Sequence, residues 1–232
     1  MTERRNKEDS ELGMPPQRSL VAALSAIPIF ALPQVVLFPE AVLPLHVFEP
    51  RYRTMLQECL ATHGALVVAH IIGGEDAYGR PRIASVAGGG IVAEHQTMPD
   101  GRSNIIVLGQ ARLKLDELPP DDIRPYRLAR ATVLEDLAVS VPDHDRAALV
   151  AVATLFATEV KKHDPHFSFR LPKTLDAAHI ADLCAFQLIV DAPTRQAVLD
   201  ELDPRVRVSL VLKQLALQHA AMRRTDGDRV LN

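Results

Sequence analysis

A chain of 232 residues with 47% hydrophobic and 24% charged residues is long and apolar enough to bury a substantial core. This composition excludes a disordered or fibrous protein. The formal net charge of −3 disfavours a nucleic-acid partner, because such binding depends on clustered Lys and Arg that neutralise phosphates. Cys59 and Cys184 each fall in an apolar helical pattern, which predicts buried free thiols and a reducing, cytoplasmic location.

The N-terminal part of the chain raises the question of a membrane segment. The apolar stretch from residue 20 to 38 approaches the ~20 residues that span a bilayer. Pro28, Pro33 and Gln34 interrupt it, and the acidic residues before it do not suit a signal peptide. We therefore expect no membrane partner, and we interpret residues 1–26 as a disordered leader.

Residues 27–137 show short β-type runs separated by turn residues, which predicts a β-rich subdomain. Pro99, Asp100 and Gly101 suit a tight turn, so the runs on either side of them are predicted to pair antiparallel. The three glycines at 88–90 have no following helix and predict a turn or bulge rather than a phosphate-binding loop. The predicted strands cover residues 27–31, 43–48, 65–71, 90–97, 105–108, 112–118 and 127–134.

Helical periodicity appears once inside this subdomain and dominates after it. Pro50 begins a helix with one apolar face, formed by Tyr52, Met55, Leu56, Cys59 and Leu60. Residues 138–222 then predict a four-helix subdomain. Its helices are expected from Pro142 to Lys162, from Asp176 to Val190, from Thr194 to Leu202 and from Pro204 onward. Residues 223–232 lose the periodicity and are expected to fray, so the predicted fold class is α+β.

A series of motifs in this chain resembles a known family. The first motifs are Leu32-Pro33, Val36-Leu37-Phe38-Pro39, Leu43-Pro44-Leu45 and Val47-Phe48-Glu49-Pro50-Arg51-Tyr52-Arg53. Later ones are Asp100-Gly101-Arg102, Ile106-Val107-Leu108-Gly109 with Arg112, Ala181-Asp182-Leu183 and Gln196-Ala197-Val198-Leu199-Asp200. In this order they resemble the N-terminal domain of Lon proteases, over about residues 27–217. The chain departs from the pattern at Glu40, where the family commonly has Gly.

The resemblance implies a β-rich pseudobarrel, similar to PUA-type domains, followed by a helical bundle. It also implies a non-catalytic module that recognises unfolded or extended polypeptides, with a protease or chaperone as a further candidate partner. A Lon protease adds a P-loop ATPase and a Ser-Lys peptidase domain, and this chain has no Walker A motif. We therefore expect a stand-alone recognition module without enzyme activity or cofactor. The sequence carries no signal for an oligomeric state.

The strongest polar signature is formed by Glu49, Arg51 and Arg53. Arginine forms bidentate pairs with carboxylates, so these residues can lock the helix after Pro50 onto the sheet, which is the interpretation we favour. The alternative is that they line a peptide-binding surface. For a bound polypeptide, we expect a groove between the two subdomains near the connection at residues 137–143.

Three other kinds of chemistry have weaker sequence support. RNA binding is the alternative function, because PUA-type folds often bind RNA, but the acidic balance and few aromatic residues weaken it. A hydrolase could use Ser209 with Lys213 as its base, although such pairs are common on helices. His163, Asp164 and His166 form an incomplete zinc ligand set. We predict neither catalysis nor metal binding.

Overall fold

The computed structural model describes residues 18–172 and 174–230, without the side chains of residues 224–230. The N-terminal part contains α1 (Leu20–Ala23), β1 (Ile27–Leu32), β2 (Val42–Val47), α2 (Pro50–Ala61), β3 (Ala65–Glu75), β4 (Pro81–Ile83), β5 (Val86–Thr97), β6 (Ser103–Glu117) and β7 (Arg127–Leu134). It is followed by α3 (Asp143–His163), α4 (Ala177–Leu188), α5 (Ala192–Asp200) and α6 (Pro204–Val230). The predicted α+β fold, with a β-rich subdomain before four helices, is confirmed.

The sheet closes on itself as a barrel. Its strand order is β1-β7-β6-β5-β3-β4, and β1 also pairs in parallel with β3. The path from β1 to β3 therefore has no free end, and closure removes the sheet edges that would otherwise stay unpaired. Strand β2 lies off this path and pairs antiparallel with residues 103–108 of β6.

Helix α1 closes one end of the barrel. Leu20 and Ala23 are buried in the barrel core, and the hydroxyl of Ser19 accepts a hydrogen bond from the Ala22 N–H at 3.3 Å. Arg18 donates to the carbonyls of residues 92 and 93 on β5. The expected leader of residues 1–26 is therefore wrong for residues 18–26, because apolar burial of Leu20 and Ala23 orders them. Residues 1–17 lie outside the described residues.

The glycines at 88–90 lie within β5 and not in a ligand loop. The register of β5 against β6 shifts between Gly89 and Gly90, which confirms the predicted bulge. A Cβ atom on Gly88 would lie 2.0 Å from the carbonyl oxygen of Leu37, and one on Gly90 would lie 2.4 Å from that of Leu108. Glycine is therefore required here because neighbouring backbone approaches too closely for any side chain.

The predicted hairpin at residues 99–101 is confirmed. Strands β5 and β6 pair antiparallel from Thr97 and Ser103 onward, and Gly101 has the left-handed φ of 81° that the turn requires. The two runs predicted at 105–108 and 112–118 form the single strand β6. Gly109 between them marks a close approach, since its Cβ would lie 1.9 Å from the Phe38 carbonyl oxygen.

The predictions for helices α2 and α6 have different outcomes. Helix α2 buries Tyr52, Met55, Leu56 and Cys59, as its spacing predicts. Helix α6 continues to Val230, so the expectation of a frayed tail from residue 223 is wrong over 223–230. Once the packed part of a helix has formed, each added residue gains one backbone hydrogen bond and loses the conformational freedom of one residue only. The helix can therefore continue without a buried apolar face. Residues 231 and 232 lie outside the described part of the chain.

Among the residues described, no helix combines the length and apolar character that a membrane crossing needs.

A buried charge network joins the two subdomains. Arg112 of β6 lies 2.5 Å from Asp182 of α4, measured from Nη2 to Oδ1, and its Nε donates to the Leu199 carbonyl at 3.1 Å. Arg207 of α6 is fully buried and donates to both Asp182 oxygens, at 3.2 and 3.3 Å, and to Asp136. Burial raises the pKa of Asp182, while the two guanidinium groups oppose this and favour its anion. The network therefore fixes β6 against α4 and α6.

Candidate functional site

A three-stranded part of the sheet extends beyond the barrel. In it β2 pairs with residues 103–108 of β6, and residues 92–97 of β5 pair with the other side of β6. One face of this part is buried against the core through residues such as Leu43, Val47, Ile105 and Val107. Side chains alternate between faces along a strand, so the opposite set shares the other face. We call this set the outer face: Val42, Pro44, His46, Glu94, Gln96, Asn104, Ile106 and Leu108.

An exposed apolar strip runs along the outer face. Val42 is 54% exposed and its strand partner Leu108 is 36% exposed, while Pro44 pairs with Ile106 in the next row. Phe48, directly after β2, is 58% exposed and its ring stacks on His46 with the centroids 6.0 Å apart. Large exposed apolar side chains grouped on one part of a sheet are typical of a surface that binds another molecule.

Polar groups border the strip and order its far end. His46 Nδ1 lies 2.7 Å from Asn104 Oδ1, and this contact restrains the imidazole ring. Glu94 and Gln96 of β5 lie beside Ile106 and Asn104 in register. An open cavity of about 530 Å³ is lined by residues of these three strands. The site therefore offers an apolar centre with hydrogen-bonding groups on one side.

The free edge of β2 is blocked at its middle. Within the described residues β2 pairs only with β6, so its second edge is open. Pro44 has no backbone N–H, and a proline in a strand directs this missing donor away from the partner strand. An added strand could not form a continuous ladder there, so the face of this sheet is the better binding surface.

Glu49, Arg51 and Arg53 lie at the end of the strip, beside Phe48. Arg51 pairs with Glu49, with 2.8 Å between Nη2 and Oε2, and its guanidinium lies 4.5 Å from the Tyr52 ring centroid. Arg53 instead reaches the β5–β6 turn, where a Cβ on Gly101 would lie 1.9 Å from its Nη2. The Arg–carboxylate pair is thus local to the start of α2, and Arg53 lies against the β5–β6 turn.

A second cavity lies at the predicted connection. It has a volume of about 530 Å³ and is lined by residues 136–141 with the first residues of α3, α4 and α6. Its position agrees with the expected groove near residues 137–143. Its walls differ from the expectation, because the lining consists of the connection and the helices, and no barrel strand contributes.

The candidate catalytic residues lie on α6, and the candidate metal ligands lie at and after the end of α3. Ser209 and Lys213 both lie exposed on α6, and no hydrogen bond joins them in the part of the chain that is described. Asp164 accepts a hydrogen bond from the His166 backbone N–H at 3.0 Å. No group of three metal-ligating side chains occurs among the described residues.

The two cysteines are buried and free, as predicted. Burial raises the pKa of the Cys59 thiol to about 12, and it raises that of Cys184 to about 12 as well. Each thiol therefore stays protonated near neutral pH and is a poor nucleophile.

Comparison with known proteins identifies the family. Residues 26–216 match the family model of the ATP-dependent protease La (Lon) substrate-binding domain. The chain belongs to this family. It is 32% identical over 195 residues to a Lon protease of Roseiflexus castenholzii, covering 82% of this chain and 24% of the relative. It is also 28% identical over 196 residues to a Lon protease of Anaeromyxobacter dehalogenans, covering 82% of this chain and 23% of that relative.

Two solved Lon N-terminal domains share the fold. A Lon N-terminal domain protein from Xanthomonas campestris aligns with a TM-score of 0.59 at 21% identity, covering 81% of this chain and 97% of that one. The N-terminal domain of a Mycobacterium avium complex Lon protease aligns with a TM-score of 0.62 at 14% identity, covering 82% and 98%. This Lon-type chain thus spans about a quarter of the curated proteases it matches, and the matched region is their substrate-binding domain.

Sequence reasoning did not single out most of the outer face. Val42, Ile106 and Leu108 come from segments far apart in the chain, and only the pairing of β2 with β6 brings them together. The alternating pattern of β2 carried a partial signal, because Val42, Pro44 and His46 fall on one side of a strand. Nothing in that pattern identifies β6 as the partner.

Proposed function

We propose that this Lon-type domain binds unfolded or extended polypeptide segments on its outer face, without turnover. The observation that carries the proposal is the exposed apolar strip of Val42, Leu108 and Phe48 on an open sheet. Unfolded chains share exposed apolar side chains and not a sequence, so a flat apolar strip suits them. Membership of the substrate-binding domain family supports this assignment.

The chemistry of the outer face favours weak and sequence-tolerant binding. Pro44 interrupts the β2 edge, so affinity would come from side-chain contacts and not from a full backbone ladder. A Kd near 1 mM corresponds to only about 4 kcal/mol, which a few buried side chains can supply. Such binding would release the polypeptide readily to a protease or chaperone, which we propose as the further partner.

We place Glu49, Arg51 and Arg53 at the rim of this surface. Glu49 and Arg51 are partly exposed next to Phe48, so either can change its partner when a charged polypeptide group arrives. We infer a supporting role, because exposed ion pairs contribute little free energy. The buried free thiols further support a reducing compartment such as the cytoplasm.

The outer face does not favour RNA as the ligand. Its eight side chains include Glu94 and contain no Lys or Arg, and Arg51 at its rim is already paired with Glu49. RNA sites depend on cationic groups for phosphates and on several aromatic rings for stacking. We therefore propose polypeptide binding alone for this surface.

The test measures binding of a fluorescently labelled, permanently unfolded protein by anisotropy. The double variant Val42→Ser with Phe48→Ser should weaken binding at least about fivefold, because it removes two exposed apolar contacts. The matched control is Ile72→Ser, which removes a 49% exposed apolar side chain from β3. Equal affinity of the double variant and the control would contradict the proposal. So would the absence of binding by the unaltered protein up to millimolar concentration.

A further inference from the structure

A separate pocket lies between the turn at residues 38–41 and helix α4. We call it the turn pocket; its volume is about 160 Å³. A cavity of about 150 Å³ with apolar walls holds a benzene ring, so this one suits a single Leu or Phe side chain. Phe38, Leu175, Leu183 and Phe186 are among its apolar lining residues, and Glu40 and His179 are among its ionisable ones.

The turn that forms one wall is held in a fixed position. The Ala41 N–H donates to the Phe38 carbonyl at 3.2 Å, which closes the turn. The Glu40 N–H donates to the Gly109 carbonyl at 2.9 Å, and the Gly109 N–H donates to the Ala41 carbonyl at 2.9 Å. These contacts tie the turn to β6, so the pocket is formed before any ligand arrives.

Glu40 occupies a strained position on the rim of this pocket. Its φ is 61°, and it is the one non-glycine residue with positive φ among those described. Pro39 precedes it, and a closed turn with Pro in second place and positive φ in third is a type II turn, which favours Gly there. Strained backbone conformations cluster at functional sites, so the strain at this position points to a function of the Glu40 side chain.

The rim of the turn pocket is acidic at Glu40, and Asp176 lies next to the lining residue His179. The side chains of Glu40 and Asp176 are each 64% exposed, and Asp176 holds His179 at 2.7 Å between Oδ1 and Nδ1. Glu40 Oε1 lies 3.9 Å from His179 Nε2, which is too long for a hydrogen bond. Asp182 is already paired with Arg112 and Arg207. The His179 imidazole is the ionisable group that Glu40 approaches, and no Lys or Arg occurs among the described lining residues, so the exposed Glu40 carboxylate can bind a further cation.

We propose that the turn pocket binds one bulky apolar side chain of a substrate polypeptide, and that Glu40 binds a Lys or Arg next to it. The substrate class is therefore an extended segment with Leu or Phe beside a basic residue. This inference rests on the proposed function, and it adds a second contact with a sequence preference to the sequence-tolerant outer face. The volume selects the apolar side chain, and the acidic rim selects its neighbour.

The test uses three labelled ten-residue peptides that are identical except at two central positions, which hold Leu-Lys, Leu-Glu or Ala-Lys. Glu40→Gln keeps the side-chain shape and should weaken binding of the Leu-Lys peptide about two- to fivefold, while Leu-Glu binding changes less than about twofold. The Ala-Lys peptide should bind more weakly than Leu-Lys to the unaltered protein. The matched control, Glu75→Gln, removes an exposed carboxylate from β3 and should leave all three affinities unchanged.

A second variant separates binding from strain. Glu40→Gly removes the strain of a side chain at positive φ and should raise Tm by about 2–4 °C. Like Glu40→Gln, it should lose the preference for the Leu-Lys peptide.

A third variant tests the pocket itself. Leu183→Trp should fill the pocket and abolish the preference for Leu-Lys over Ala-Lys, and its Tm is measured to verify folding. The rim variants remain decisive if this variant does not fold.

Two outcomes would overturn the inference. If Glu40 served only a partner within the chain, Glu40→Gln would lower Tm and leave the three affinities unchanged. If the pocket were irrelevant, a folded Leu183→Trp variant would keep the preference of the unaltered protein for Leu-Lys over Ala-Lys and would still bind the unfolded protein through its outer face. Loss of binding to the unfolded protein itself would instead contradict the proposed function, so the two failures are distinguishable.

Discussion

Arg112 of β6 and Asp182 of α4 form a buried ion pair across the boundary between the barrel and the helices, with 2.5 Å between Nη2 and Oδ1. Arg207 shares the same carboxylate, so one anion is held between two cations. Removal of one partner from such a group leaves uncompensated charge in a low-dielectric environment. The stability of the domain should therefore depend on the pair being complete.

Asp182→Ala should lower the free energy of unfolding by about 3–5 kcal/mol, because it leaves Arg112 buried without an anion and leaves Arg207 with Asp136 alone. Urea unfolding followed by circular dichroism measures the change. Asp116→Ala is the control, since its pair with Arg130 is exposed and should contribute less than about 1 kcal/mol. Equal losses in the two variants would show that the buried network does not join the subdomains energetically.

The N-terminal helix α1 offers a direct comparison of neighbouring residues. Leu20 is 6% exposed and packs into the barrel, whereas Val21 beside it is 75% exposed. Leu20→Ala should lower the free energy of unfolding by about 2–5 kcal/mol, because it creates a cavity at the end of the barrel. Val21→Ala should change it by less than about 0.5 kcal/mol. A small change in the free energy of unfolding for both variants would instead favour the sequence-based interpretation of residues 18–26 as part of a disordered leader.

Acid should weaken the β3–β4 hairpin through Asp76. Burial alone would raise the pKa of this carboxyl, but hydrogen bonds from Arg80 and the Tyr78 N–H lower it to about 2. Its folded pKa lies below its ordinary value of 3.8, so its contribution is present above about pH 4 and is lost as pH falls towards 2.

The measurement is Tm at pH 5 and at pH 2.5 for the unaltered protein and for Asp76→Asn. The variant should be less stable than the unaltered protein at pH 5, and the difference should shrink at pH 2.5. Asp116→Asn serves as an exposed control on β6. A difference that stays constant between the two pH values would contradict the assignment of this titration to Asp76.

The Glu49–Arg51 pair distinguishes a structural role from a binding role. Both side chains are partly exposed, so Arg51→Ala should lower the free energy of unfolding by less than about 1 kcal/mol. If the pair borders the polypeptide surface, the same variant should alter the affinity for acidic and basic peptides in opposite directions. A large stability loss with unchanged affinities would favour the structural interpretation instead.

Much of the secondary structure could be read from the sequence. The apolar spacing of Tyr52, Met55 and Cys59 predicts the buried face of α2, and the turn at Gly101 predicts the β5–β6 hairpin. These features depend on periodicity and turn chemistry within a few residues, so local sequence is sufficient. The motif series likewise indicated the family before any contact was known.

The binding surfaces were decided only by tertiary structure. Val42 and Leu108 become neighbours because β2 pairs with β6, and the turn pocket exists because the Glu40 turn is tied to Gly109 and faces α4. Arg112 and Asp182 belong to separate sequence motifs, and only the tertiary structure brings them together as an ion pair. Local pattern determines which segments form strands and helices, whereas the choice of partner depends on burial and hydrogen bonding between segments far apart in the chain.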